Sequence, residues 1–145
     1  MALRLSTGTR TGQAGTMGIK GMFEGGFISV FTGGQPASAD AAETGSKLVE
    51  LSVASGTAGL TFGTAGAGAI PKSSEVWSGL IGTAGLAGYF RLYDANKTTG
   101  SDGTARRIDG NVGVSGSDLV LASTALRAGA TLTIDEFTVT IPASA

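Results

Sequence analysis

Two apolar runs separated by a long polar segment, all between Phe27 and Val53, restrict the possible folds more than any other feature of this chain. The first, Phe27-Ile28-Ser29-Val30-Phe31, is apolar at nearly every position, the pattern of a strand buried on both faces. In the second, Lys47 to Val53, the residues Val49, Leu51 and Val53 alternate with Leu48, Glu50 and Ser52, which suits a half-buried strand with one wet face. Small and polar residues fill Gly33 to Gly45, which predicts a surface loop.

The rest of the chain repeats this style. Leu3 and Leu5 flank Arg4 in a short strand or, taking residues 1–10 together, an extended arm. Met17, Ile19, Met22 and Phe23 suggest one short helix near Thr16–Glu24, weakened by Gly12, Gly15, Gly18 and Gly21. Further strands are expected at Leu60–Phe62, Glu75–Leu80 and Gly88–Asp94. In the last of these Tyr89, Arg91 and Tyr93 face one way, and Phe90 and Leu92 face the core. Ala95 to Thr104 is dense in turn formers. Short strands follow at Ala105–Ile108, Asn111–Val114 and Asp118–Ala122, separated by Asp109-Gly110 and Gly116. A final strand spans Ala130 to Ile141, where the apolar parity flips between Leu132/Ile134 and Phe137/Val139/Ile141. One extra residue at Asp135-Glu136, a β-bulge, restores a single buried face, and Pro142 ends the ladder. Eight or nine short strands with turn signals about every ten residues predict a single all-β domain over residues 1–145. The expected form is an antiparallel, jelly-roll-like β-sandwich with at most one short N-terminal helix.

Composition narrows the chemistry. With no histidine and no cysteine, zinc sites of the usual kind, Ser-His-Asp triads and Cys-His pairs are all impossible. A net charge of −1 offers no basic face for nucleic acid, and no apolar stretch is long enough to span a membrane. Twenty-five glycines would weaken regular elements by about 0.5–1 kcal/mol each relative to alanine. Most must therefore sit in turns, or neighbouring subunits must stabilise the fold.

Several local groupings invite a functional reading. Asp109, Asp118, Asp135 and Glu136 could supply an acid/base pair, but they fit turn and bulge residues facing water. Asp94 to Asp102 carries oxygen ligands for calcium, yet Thr99 and Ala105 stand where an EF-hand loop needs Gly and Glu, so a hairpin loop is expected. Gly63 to Gly68 lacks the Lys-Ser/Thr and following helix of a phosphate cradle and reads as a flexible connection. Gly-Thr-Ala-Gly occurs at Gly56–Gly59, Gly63–Gly66 and Gly82–Gly85 without a common period. Arg106-Arg107 is the only basic doublet and suits an acidic partner or a strand with one Arg on each face. Trp77 is a core residue or an interface anchor. Tyr89 and Tyr93, aligned with Arg91, could form a sugar-binding platform.

Four segments carry a resemblance: Leu3 to Arg10, Gln35 to Gly45, Trp77-Ser78-Gly79 with Gly88 to Leu92, and Thr133 to Pro142. Together they resemble a family of small structural proteins encoded among the virion genes of tailed bacteriophages, and the likeness spans nearly the whole chain. The chain departs from it at Thr11 to Gly15, where members often have a more helix-friendly segment. The resemblance implies a virion protein made in the bacterial cytoplasm, a capsid decoration (cement) protein, with a tail or receptor/carbohydrate-binding component as the alternative. It implies no enzyme activity, catalytic residue, metal or cofactor, and no nucleic acid or membrane partner. The expected partners are the major capsid protein or other virion proteins, met as a homo-oligomer, most simply a trimer at local threefold positions. Leu3, Arg4 and Leu5 on the arm, with Trp77, Tyr89, Arg91 and Tyr93, are the expected interface residues.

Overall fold

The computed structural model describes residues 3–140. Strands hold 39% of the chain and helices 9%, in keeping with the expected all-β class. In order they are β1 (Arg4–Leu5), α1 (Thr7–Ala14), α2 (Ile19–Phe23), β2 (Phe27–Thr32), β3 (Lys47–Val53), β4 (Ala69–Pro71) and β5 (Trp77–Leu80). Then come β6 (Gly85–Tyr93), β7 (Arg107–Gly113), β8 (Leu119–Val120), β9 (Ala125–Leu126), β10 (Thr131–Ile134) and β11 (Thr138–Thr140). Among the described residues nine strands form one sheet, ordered β1-β7-β6-β2-β3-β5-β10, with β8 on β7 and β9 on β6. A second sheet pairs β11 with β4. Pairing is antiparallel except between β7 and β8.

Register decides which side chains share a face. Ile28 lies opposite both Leu51 and Leu92, and Leu92 opposite Ile108, so these four line the inner side. Val30, Val49 and Phe90 form the next row, where the Phe90 ring lies against Gly110 in the space a larger residue would occupy. The small sheet closes this face from above. Phe137 meets Phe90 edge-on with ring centres 5.4 Å apart, and Ile70, Val139, Leu60, Met22 and Phe23 complete the core. Burial of each such side chain contributes about 1.5–3 kcal/mol.

Two helices, rather than at most one, occupy the N-terminal region. The expected helix shrinks to Ile19–Phe23, and Thr7–Ala14 forms another that its Thr and Gly content argued against. Ser6 starts it by accepting a hydrogen bond from the Thr9 N–H at 3.2 Å. Gly8 lets it approach the 104–105 backbone, for a Cβ there would stand 2.2 Å from the Thr104 oxygen. Residues 3–10 are consequently no free arm: β1 pairs with β7 and α1 packs beside it.

Other expectations change, and at Leu60–Phe62 isolated bridges to Gly26 and Lys72 stand where a strand was expected. Asp109-Gly110 is no turn but the middle of β7, because Asp109 has a buried partner described below. The long last strand is two strands. Thr131–Ile134 pairs with β5 and Thr138–Thr140 with β4, so the parity flip at Asp135-Glu136 marks a passage between sheets and not a bulge. Ile141 and Pro142 lie outside the described residues. Finally, Gly66 and Ala69 exchange two 3.0 Å hydrogen bonds around Ala67 and Gly68, both at positive φ, making a tight hairpin of the expected flexible connection.

Candidate functional site

The outer side of the central strands carries the chain's most distinctive side chains. Antiparallel register aligns Arg4, Asp109, Arg91, Ser29 and Glu50 in one row across β1, β7, β6, β2 and β3. The neighbouring rows are Phe27-Tyr93-Arg107 and Phe31-Tyr89-Asn111. A strand's two-residue period dictates this: Tyr89, Arg91 and Tyr93 share a face, as expected.

That face is covered. Arg91, Tyr89 and Asp109 are fully buried, and Tyr93 is 4% exposed. Arg91 donates through Nε to Asp109 Oδ1 at 2.6 Å and through Nη2 to Oδ2 at 2.9 Å. Its Nη1 donates to the Ala41 carbonyl at 2.8 Å, with Glu43 Oε2 3.6 Å away. Arg107 Nη1 donates to the carbonyls of Ala39 and Ala41, and its Nε and Nη2 to that of Thr98. The Tyr89 hydroxyl donates to the Thr44 carbonyl at 2.7 Å and accepts from the Thr44 N–H at 2.9 Å. Arg4 donates to the Pro36 carbonyl at 2.6 Å. The polar segment between β2 and β3 is thus clamped onto the sheet by side chains from three strands. On α1, the Thr7 N–H and hydroxyl bind the two Asp40 oxygens.

Charge follows from this packing. Burial pushes the Asp109 carboxyl above the usual carboxylate range, and the Arg91 guanidinium opposes that rise. For Glu43 burial acts upward too, but hydrogen bonds from the Tyr93 hydroxyl and the Gly100 N–H outweigh it and hold the group below its ordinary value. Burial, then the bond to Glu43, drives the Tyr93 phenol far upward. Asp40 is held low chiefly by the Thr7 hydroxyl.

Beside the clamp opens a cleft of about 280 Å³, floored by Phe31 and Tyr93. Its rim charges satisfy one another: Lys97 Nζ lies 3.2 Å from Glu50 Oε2, and Lys47 Nζ 3.6 Å from Glu50 Oε1.

The other expected sites distribute as follows. Trp77 is a core residue, fully buried against Phe62 and Phe137, with its indole N–H donating to Glu75 Oε1 at 2.9 Å. The sugar platform of Tyr89, Arg91 and Tyr93 and the anchor role of Trp77 are therefore unavailable at the surface. Leu3, Arg4 and Leu5 are half-buried. Of the carboxylates, Asp109 is buried, Asp118 is half-buried beside Asn111, and Asp135 and Glu136 are exposed. Asp94 and Asp102 each close their own turn, accepting from Asn96 and from Thr104 and Ala105. Sequence reasoning missed Glu43 and Asp40, and it named Asp109 and Arg107 without their roles as the partner of Arg91 and as a clamp on the loops. The available signal was two ionic strands, Arg91 on one and Arg107 with Asp109 on the other, each set at one parity.

What the assembly does chemically is hold two loops rigidly against a sheet. Comparison of the chain with protein-family models, curated proteins and solved structures finds no match.

Proposed function

We propose that this chain is a non-enzymatic bacteriophage virion protein, a capsid decoration protein that binds assembled capsid subunits and stabilises the shell. The observation that carries the reading is the likeness of Leu3–Arg10, Gln35–Gly45, Trp77–Gly79 with Gly88–Leu92, and Thr133–Pro142 to that family of virion proteins. The jelly-roll-like form of the sandwich belongs to the same reading. Two physical points support it. The large polar and aromatic side chains are engaged in fixing the chain's own loops, which makes the exterior a rigid template that loses little entropy on binding. Meanwhile Leu80, Leu86, Val114 and Val120 stand exposed, at 63%, 66%, 60% and 45%. Binding by surface complementarity needs this kind of exterior, and the partner would be the major capsid protein.

Addition of the purified chain to undecorated shells tests the proposal. Saturable binding that raises the temperature of shell disassembly is expected. Density for this chain confined to the tail of native particles would replace capsid decoration with a tail role.

A further inference from the structure

The last strand of the large sheet, β10, leaves one backbone edge unpaired among the described residues. The backbone direction can be read from the ladder. Ala54 N–H bonds the Val76 carbonyl at 2.8 Å, so alternation turns Val76 and Ser78 toward β3, and Trp77 and Gly79 toward β10. Leu132 and Ile134, opposite Gly79 and Trp77, use their backbone groups on β5. Thr131 and Thr133 turn theirs outward.

Natural edge strands are protected by being very short, or by lysine, proline, bulges, inward charges or a covering segment. Thr131-Leu132-Thr133-Ile134 is short, at four residues, but carries no lysine, proline or charge, and an open groove separates it from residues 122–127. Leu80, 63% exposed, lies beside Thr131 on the same face. The edge also has a charge polarity. Exposed Arg127 precedes it and exposed Asp135 and Glu136 follow it, and none of the three takes part in an ion pair among the described residues.

We infer that this edge pairs with the same edge of a second copy of the chain. The two β10 strands run antiparallel about a twofold axis at Leu132. Thr131 then lies opposite Thr133 of the second copy, and both contribute the outward N–H and C=O groups that an antiparallel hydrogen-bonded pair requires. Because the contact is isologous, every complementary pair occurs twice. Arg127 of each copy comes alongside the Asp135-Glu136 corner of the other. Strand addition supplies the affinity, and the charges fix the antiparallel direction against the parallel one, which would bring like ends together. The contact is independent of the capsid proposal, and it predicts a twofold where shell symmetry alone suggests a threefold.

Sedimentation equilibrium of the full chain over a range of concentrations tests it. A reversible dimer is expected. Thr133→Pro removes one outward N–H without touching the β5 ladder, and should raise the dimer dissociation constant at least tenfold with an unchanged circular dichroism spectrum. Arg127→Glu and Glu136→Arg should each weaken the dimer, and the double variant should restore it, which keeps the test decisive even if Thr133→Pro misfolds. A chain that stays monomeric, or a trimer indifferent to all these changes, overturns the inference. So does a monomer whose binding to shells is lost in Thr133→Pro, since the edge then serves a different polypeptide.

Discussion

Arg91 and Asp109 form a two-pronged ion pair between neighbouring strands, and solvent reaches neither side chain. Such a pair is not evidence of high stability, because desolvating both ions offsets much of their attraction. It does make either partner intolerant of loss. The same guanidinium also reaches the Ala41 carbonyl, so the pair connects the sheet to the covering loop.

Removing one partner strands the other charge in the interior. Arg91→Ala or Asp109→Ala should each destabilise the chain by about 3–5 kcal/mol. The double replacement Arg91→Met/Asp109→Leu should cost clearly less than the two single losses together. Arg91→Lys should not rescue, since one ammonium cannot reach both carboxylate oxygens and Ala41. Urea denaturation of the four variants measures this.

Acid should loosen the covering loop before it melts the sheet. Glu43 and Asp40 both sit below their ordinary values in the folded chain. The unfolded chain therefore takes up their protons first as pH falls. The stability they contribute is fully present above their unfolded values near 4 and is lost as pH drops through the folded ones. Amide exchange at residues 39–44 should accelerate over that window ahead of β2 and β6. Tyr93→Phe, which deprives Glu43 of a hydrogen bond, should move the onset to higher pH.

Two glycine replacements should have opposite signs. Gly21 in α2 has open space around it, so Gly21→Ala should stabilise by about 0.5–1 kcal/mol through helix propensity. Gly8→Ala gains the same propensity in α1 but drives a methyl into the Thr104 carbonyl, and should destabilise. Thermal melting of the pair separates packing from propensity.

The strands that build the core were legible because their periodicity is local. Phe27 to Phe31, Lys47 to Val53 and the alternation of Phe90 and Leu92 with Tyr89, Arg91 and Tyr93 follow from adjacent residues alone. The covered outer face was not. A row of Arg, Ser and Tyr on a strand reads as a wet face, and only partners fifty residues away, such as Ala41 for Arg91, show otherwise. Helix α1 escaped for a related reason: its glycines are unfavourable locally, and only distant neighbours require them, the Thr104 backbone against Gly8 and the Met22 side chain against Gly12. At Asp135-Glu136 the break was found at the right residues, but a change of sheet and a bulge leave the same mark on parity.

The pairing of β1 with β7, and of β10 and β11 with strands far upstream, has a consequence for synthesis. Arg4 must wait for Asp109, and Trp77 for Ile134 and Phe137, before either is in its final surroundings. On the ribosome the chain cannot close its interior until residues 131–140 have cleared the exit tunnel. Folding is then a late, nearly all-or-none event, and a stalled nascent chain would expose its apolar strands to chaperones.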